Sequence, residues 1–176
     1  MKNRLVAAVS LLLTTTLISI SLPVRAATLD LPEFNRMHAQ YLAVTRQQAN
    51  AEDTAKAFQN WQQQHPQEAL IGIYIGALDC LIGRDAWMPW NKMRYVNRCT
   101  DAMDKAMKQV QDQADPRDQL QAHLERGFVN ANLPSMFNRQ ELAIEDFEAV
   151  IAAPGWASLD EQLRSQISQK LQALKE

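Results

Sequence analysis

The stretch Ala-Leu-Ile-Gly-Ile-Tyr-Ile-Gly-Ala-Leu, residues 69–78, decides the fold. As a helix it is apolar on nearly every side, and a helix of that kind belongs in the centre of a core. We therefore predict a central buried helix from about residue 67 to residue 83. Gly72 and Gly76 are spaced by four residues, which places them on one face and predicts that a neighbouring helix packs closely there.

The rest of the chain predicts helices joined by short connections. Glycine is scarce, with five in 176 residues, and no run of alternating β-branched residues indicates a strand. Helix boundaries are indicated at residues 30–33, 50–53, 65–66, 88–89, 115–118, 133–134, 154–155 and 158–161. Asp30 is predicted to cap the first helix and Ser158 the last. The expected fold class is all-α, with about seven antiparallel helices in a single domain over residues 27–176.

Residues 1–26 have the pattern of a signal peptide. Lys2 and Arg4 precede an apolar run over residues 5–22, and Val24 and Ala26 are the small residues that a signal peptidase reads. We expect an exported protein, periplasmic or alternatively secreted, with no membrane insertion after cleavage. Cleavage removes three bases and no acid, which moves the formal net charge from −2 to −5. An acidic domain without basic runs is not expected to bind nucleic acid.

Cys80 and Cys99 are the two cysteines of the chain. In an exported protein an even number of cysteines favours a disulfide. The alternative is two separate thiols buried as small apolar side chains. The register of the two helices decides between them, because a disulfide needs Cα atoms within about 7 Å.

The chain resembles a degenerate tetratricopeptide-repeat protein over roughly residues 53–154. The positions that carry the resemblance are an aromatic residue, a Leu-Gly-like step, a later alanine and two helix-ending prolines: Phe58, Pro66, Ile75, Gly76, Ala149 and Pro154. Residues 75–92 are also similar to uncharacterised exported bacterial proteins. The resemblance implies an α-solenoid of helix pairs with a concave binding face. A compact helical bundle is the alternative architecture.

Residues 84–92 crowd tryptophan, proline and charge between the buried helix and the next one. Arg84, Trp87, Trp90 and Lys92 are candidate binding residues, because tryptophan and arginine are enriched where interfaces concentrate binding energy. In the alternative interpretation the two indoles close the end of the core, and Arg84 with Asp85 ties the backbone at the helix corner.

Arg126 and Arg139 are two further candidate binding residues, on either side of the break at Leu133 and Pro134. In a solenoid they face the same concave surface as Lys92, where they suit the anionic terminus of a peptide. Alternatively they form buried ion pairs with acids on adjacent helices and fix the helix register.

The sequence contains no pattern that predicts catalysis. His38, His65 and His123 are far apart and lack metal-ligand spacing, and neither a nucleophile elbow nor a phosphate-binding loop is present. We expect no catalytic residue, no metal and no cofactor. The predicted function is a non-enzymatic module or adaptor that binds a protein or peptide. The alternative is a periplasmic immunity or inhibitor protein that caps a toxin or an envelope hydrolase.

Overall fold

The computed structural model describes residues 28–112 and 115–176. The predicted signal peptide, residues 1–26, lies outside the described residues. The described chain forms seven α-helices and no strand, which confirms the predicted all-α fold. The helices are α1 Pro32–Thr45, α2 Ala51–Gln64, α3 Ala69–Asp85, α4 Pro89–Asp112, α5 Pro116–Asn132, α6 Gln140–Ala152 and α7 Glu161–Lys175. Short 3-10 turns cover Thr28–Asp30, Ser135–Phe137 and Pro154–Ser158.

Polar side chains cap several helices where the sequence indicates boundaries. Asn50 accepts a hydrogen bond from the backbone N–H of Asp53 at 3.0 Å, and Asp115 accepts one from the backbone N–H of Arg117 at 2.9 Å. Each bond satisfies an N–H that the first helical turn leaves without a partner. These caps place the starts of α2 and α5 within the predicted ranges.

Two predicted caps are wrong. The last helix begins at Glu161, and its cap is Asp160 rather than Ser158, because Ser158 still belongs to the preceding 3-10 turn. At α1 the capping position is Leu31, which makes no side-chain cap. The Asp30 carboxylate instead pairs with Arg117 of α5 at 2.7 Å.

Helix α3 is the centre of the fold, as predicted from its all-round apolar sequence. Every residue from Ala69 to Asp79 is buried, and α3 packs against α1, α2, α4 and α5. Tyr74 is at the middle of an aromatic cluster, with ring centroids 5.4 Å from Phe34, 5.0 Å from Tyr41 and 5.7 Å from Phe58. Helices α1 and α2 are therefore held to α3 by aromatic packing.

Glycines allow α4 to pack directly on the backbone of α3. A Cβ on Gly72 would lie 2.8 Å from the Cβ of Ala106. A Cβ on Gly76 would overlap the Met103 side chain and lie 2.8 Å from the Cys99 carbonyl oxygen. The close approach that the glycine spacing predicts is thus the contact between α3 and α4.

The same contact brings the two cysteines together. Cys80 of α3 and Cys99 of α4 have Cα atoms 5.3 Å apart and Sγ atoms 2.11 Å apart, which are the distances of a disulfide. The predicted pairing is confirmed. On the chain-entropy model, closing this loop stabilises the fold by about 3 kcal/mol.

A second, smaller core joins the last three helices. Leu124 of α5, Phe147 and Val150 of α6, and Ile167 of α7 are buried together. Helix α5 also contacts α3 and α4, so it belongs to both cores. The main helix-to-helix contacts join neighbours or next neighbours along the chain, which gives the helices a sequential stacking order.

The glycine contact generates a test of the packing. Gly76→Ala should lower the free energy of unfolding by about 1–3 kcal/mol, because the new methyl group overlaps Met103 and the α4 backbone. Gly155→Ala is the matched control, since its Cβ would meet Leu120 at ordinary distances of 3.6 and 3.7 Å. Urea unfolding measures both changes. A Gly76→Ala protein as stable as the wild type would contradict the close packing.

Candidate functional site

An apolar groove of about 770 Å³ is the candidate functional site. It lies where the C-terminal part of α3, the N-terminal part of α4 and the C-terminal half of α5 meet the Ser135–Phe137 turn. Its volume is in the range of clefts that hold small molecules or anchoring side chains of a partner. Its lining residues are Tyr41, Ala77, Cys80, Leu81, Gly83, Arg84, Pro89, Lys92, Met93, Val96, Glu125, Phe128, Val129, Asn132, Leu133, Pro134, Met136 and Phe137.

Two methionines give this groove exposed apolar surface. Met93 of α4 is 40% exposed and Met136 of the 3-10 turn is 68% exposed. Phe128 and Phe137 are partly buried beside them and also line the groove. Methionine is flexible and polarisable, so it adapts to partners of different shape. Neither methionine is among the candidate binding residues of the sequence analysis.

The structure divides the predicted tryptophan corner between two surfaces. Arg84 and Lys92 line the apolar groove, whereas Trp87 lines a second cavity of about 670 Å³ beside the connection between α1 and α2. Trp90 lines neither cavity. Both indoles are on the surface, with Trp87 88% and Trp90 64% exposed, so they do not close the end of the core.

The charged groups of this corner bond to one another. Arg84 donates to the Asp85 carboxylate through Nε at 2.7 Å and Nη2 at 2.8 Å, and this bond lowers the pKa of Asp85. Lys92 donates from Nζ to the backbone oxygen of Arg84 at 3.1 Å. The lysine therefore binds a carbonyl at the end of α3, where the helix dipole favours a cation.

Arg126 and Arg139 converge on buried and partly buried acids rather than on the groove. Arg126 donates to Asp146 from Nη2 at 2.8 Å and from Nε at 2.9 Å. Arg139 makes a two-bond pair with Asp104, at 2.7 and 2.8 Å. His123 also approaches Asp146, with Nδ1 at 2.8 Å from the carboxylate. Of the two interpretations of these arginines, the structure has the intramolecular ion pairs, which tie α4, α5 and α6 together.

A polar cluster that the sequence interpretation missed lies at the inner side of the groove. The Tyr41 hydroxyl donates to Glu125 at 2.9 Å, and Gln121 donates from Nε2 to Glu125 at 3.1 Å and to the Tyr74 hydroxyl at 2.9 Å. Burial raises the pKa of Glu125, and burial also raises the pKa of Tyr41. Glu125 and Tyr41 both line the groove.

Little in the sequence could have indicated this cluster. Gln121 and Glu125 are four residues apart on one helix, which places them side by side. Tyr41 and Glu125, in contrast, are 84 residues apart, and a tyrosine on an apolar stripe is typical of a core position. The hydrogen bond between Tyr41 of α1 and Glu125 of α5 forms only when both helices are packed on α3.

No family model, curated protein or solved structure matches this chain. Within residues 28–112 and 115–176, no helix has both the length and the apolar character needed to cross a membrane. The same described residues contain no group of three or more histidine, cysteine, aspartate or glutamate side chains arranged to hold a metal ion.

The buried ion pair generates one prediction. Asp146→Ala should lower the free energy of unfolding by about 3–5 kcal/mol, because it removes the carboxylate that pairs with the buried Arg126 guanidinium and leaves it only a longer contact of 3.5 Å with Asp104. Glu33→Ala breaks an exposed pair with Arg36 and should cost at most about 1 kcal/mol. Urea unfolding compares the two variants. Equal stability of Asp146→Ala and Glu33→Ala would contradict a structural role for the arginine pairs.

The raised pKa of Glu125 generates a second prediction, on pH dependence. A raised folded-state pKa contributes stability that is fully present below the unfolded pKa and is lost as pH rises through the folded pKa. The free energy of unfolding of the wild type, relative to Glu125→Gln, should therefore fall as pH rises above about 4.3, the ordinary pKa of glutamate. Glu141→Gln removes an exposed carboxylate of α6 and serves as the control for charge. If the difference in unfolding free energy between the wild type and Glu125→Gln does not change as pH rises, the effect of burial on Glu125 is contradicted.

Proposed function

We propose that this protein is an exported, non-enzymatic module that binds an apolar segment of a protein or peptide partner in the groove between α3, α4 and α5. The observation that carries the proposal is the apolar groove of about 770 Å³ with Met93 and Met136 exposed on it. Exposed apolar patches beside a concavity are typical of surfaces that bind other proteins.

The position of the groove supports a binding role. Its lining comes mainly from α3, α4 and α5, with Tyr41 of α1 and two residues of the Ser135–Phe137 turn. In repeat proteins successive helices present a continuous concave surface of this kind to a partner. The sequential stacking order of the helices agrees with that arrangement, and a tetratricopeptide-like architecture is part of the proposal.

Export is proposed from two features of the chain. The first is the signal-peptide pattern of residues 1–26. The second is the Cys80–Cys99 pair at disulfide distance, since disulfides persist mainly in oxidising compartments. The periplasm satisfies both requirements.

The chemistry of the groove favours a partner that contributes apolar anchors. An amphipathic helix places side chains at steps of three and four residues into such grooves, and each fully buried leucine or methionine side chain contributes about 1.5–3 kcal/mol. Several such anchors are needed for micromolar affinity, because association also costs translational and rotational freedom.

Selection from a library of random dodecapeptides tests the proposal. Peptides selected by the purified protein should carry apolar residues at helical spacing. Met93→Glu should weaken their affinity by at least about tenfold, because it places a charge in the apolar groove. Gln109→Glu is the matched control, since it adds the same charge on the exposed side of α4. Fluorescence anisotropy measures the affinities, and circular dichroism confirms that both variants are folded.

Two results would overturn the proposed function. One is a selection that enriches no peptide over a library exposed to support without protein. The other is a set of enriched peptides that bind the wild type, Met93→Glu and Gln109→Glu with equal affinity, because those peptides would then bind elsewhere.

A further inference from the structure

Glu125 is an acid whose hydrogen-bond partners carry no charge. Its carboxylate accepts from Tyr41 Oη at 2.9 Å and from Gln121 Nε2 at 3.1 Å. Phenol and amide donors orient a carboxylate but do not neutralise it. A carboxylate has about four acceptor positions, so capacity for a further donor remains.

Two buried acids on the neighbouring helices are compensated differently. Asp146 of α6 pairs with Arg126, and Asp79 of α3 pairs with Arg98 at 3.0 Å. Within residues 28–112 and 115–176, no lysine, arginine or histidine nitrogen is in ion-pair distance of Glu125. The described residues therefore supply a cation to Asp79 and to Asp146, but none to the Glu125 carboxylate that lines the groove.

Docking of a purely apolar segment would leave this charge worse solvated. The segment would exclude water from the free side of Glu125, and desolvation of a carboxylate without a counter-charge costs several kcal/mol. A cation on the docked segment offsets that cost and gains a charge-assisted hydrogen bond. The groove thus favours one class of ligand by charge complementarity.

We propose that the groove recognises a basic side chain of its partner, a lysine ammonium or an arginine guanidinium flanked by apolar residues, through the carboxylate of Glu125. The inference rests on the proposed function and names the chemistry of the partner segment. It differs from the anionic peptide terminus expected from the sequence, because Arg126 and Arg139 are occupied by Asp146 and Asp104.

The two cations that line the groove do not pair with Glu125 and so do not take the place of a cation from the partner. Arg84 and Lys92 lie at the corner between α3 and α4, where Arg84 is held by Asp85 and Lys92 by the Arg84 carbonyl. Neither pairs with Glu125. The two cations lie on α3 and α4, and the acid lies on α5. A basic side chain of the partner would therefore bind at Glu125.

Three acetylated and amidated tripeptides test the proposal. They carry leucine at both ends and, in the centre, lysine, norleucine or glutamate. Norleucine keeps the aliphatic chain of lysine and removes the charge. NMR titration of the purified protein gives their dissociation constants from amide shifts around Met93 and Val129. The lysine peptide should bind the wild type at least about tenfold more tightly than the norleucine peptide, as expected for a hydrogen-bonded ion pair.

Variants separate Glu125 from the general charge of the protein. In Glu125→Gln the preference for lysine over norleucine should fall to less than twofold, whereas the norleucine peptide keeps its affinity. Glu141→Gln removes one negative charge outside the groove and should keep the full preference. Thermal unfolding confirms that both variants are folded.

The outcomes distinguish this inference from the proposed function. Norleucine and lysine peptides that bind the wild-type groove equally would overturn the inference and leave the proposed function standing. A lysine preference that persists in Glu125→Gln would also overturn it. If none of the peptides shifts the groove amides, and peptide selection also enriches nothing, both the inference and the proposed function are wrong.

Discussion

The structure depends on the direct packing of α4 on the backbone of α3. Gly72 and Gly76 leave no side chain between the two helices, so Ala106 and Met103 occupy the space next to the α3 backbone. At that separation Cys80 and Cys99 come within bonding distance. The disulfide then holds the α4 N-terminal half, with Lys92 and Met93, beside the C-terminal end of α3. One side of the groove is therefore a consequence of two glycines and one covalent bond.

The other side of the groove depends on α5, which is shared by two cores. Its Ala122 packs into the larger core with α3, and its Leu124 packs with α6 and α7. Arg126 adds an ion pair with Asp146 on the side facing α6. Because these contacts fix α5 on two sides, Glu125, Phe128 and Val129 are presented to the groove by a rigid element. A preorganised groove would lower the entropic cost of binding the partner that we propose.

Local patterns account for the part of the fold that the sequence predicted. Residues 69–78 are apolar on nearly every side as a helix, so the burial of α3 follows from hydrophobicity alone. Asn50 and Asp115 indicate helix starts because each caps a backbone N–H only two or three residues away. The candidate site was harder to predict. The sequence around Arg126 and Arg139 is the same whether these arginines bind a ligand or pair with an acid of the protein. The outcome depends on Asp104 and Asp146, which lie on other helices. Met136 lies in a short turn whose exposure depends on how α5 and α6 pack.

Glu125 shows why charge in a groove must be evaluated together with its neighbours. A count of the charged side chains that line it, Arg84, Lys92 and Glu125, suggests a basic groove that attracts an anion. Pairing changes that expectation, because Arg84 pairs with Asp85 and Lys92 donates to a carbonyl at the end of α3, so neither cation pairs with Glu125. The Glu125 carboxylate is bonded to phenol and amide donors, and no cation of residues 28–112 and 115–176 pairs with it. Burial disfavours a carboxylate without a counter-charge, since an ionised group loses more solvation energy in an apolar groove than on the surface. The partner segment that we propose is therefore apolar along its length and basic at one position.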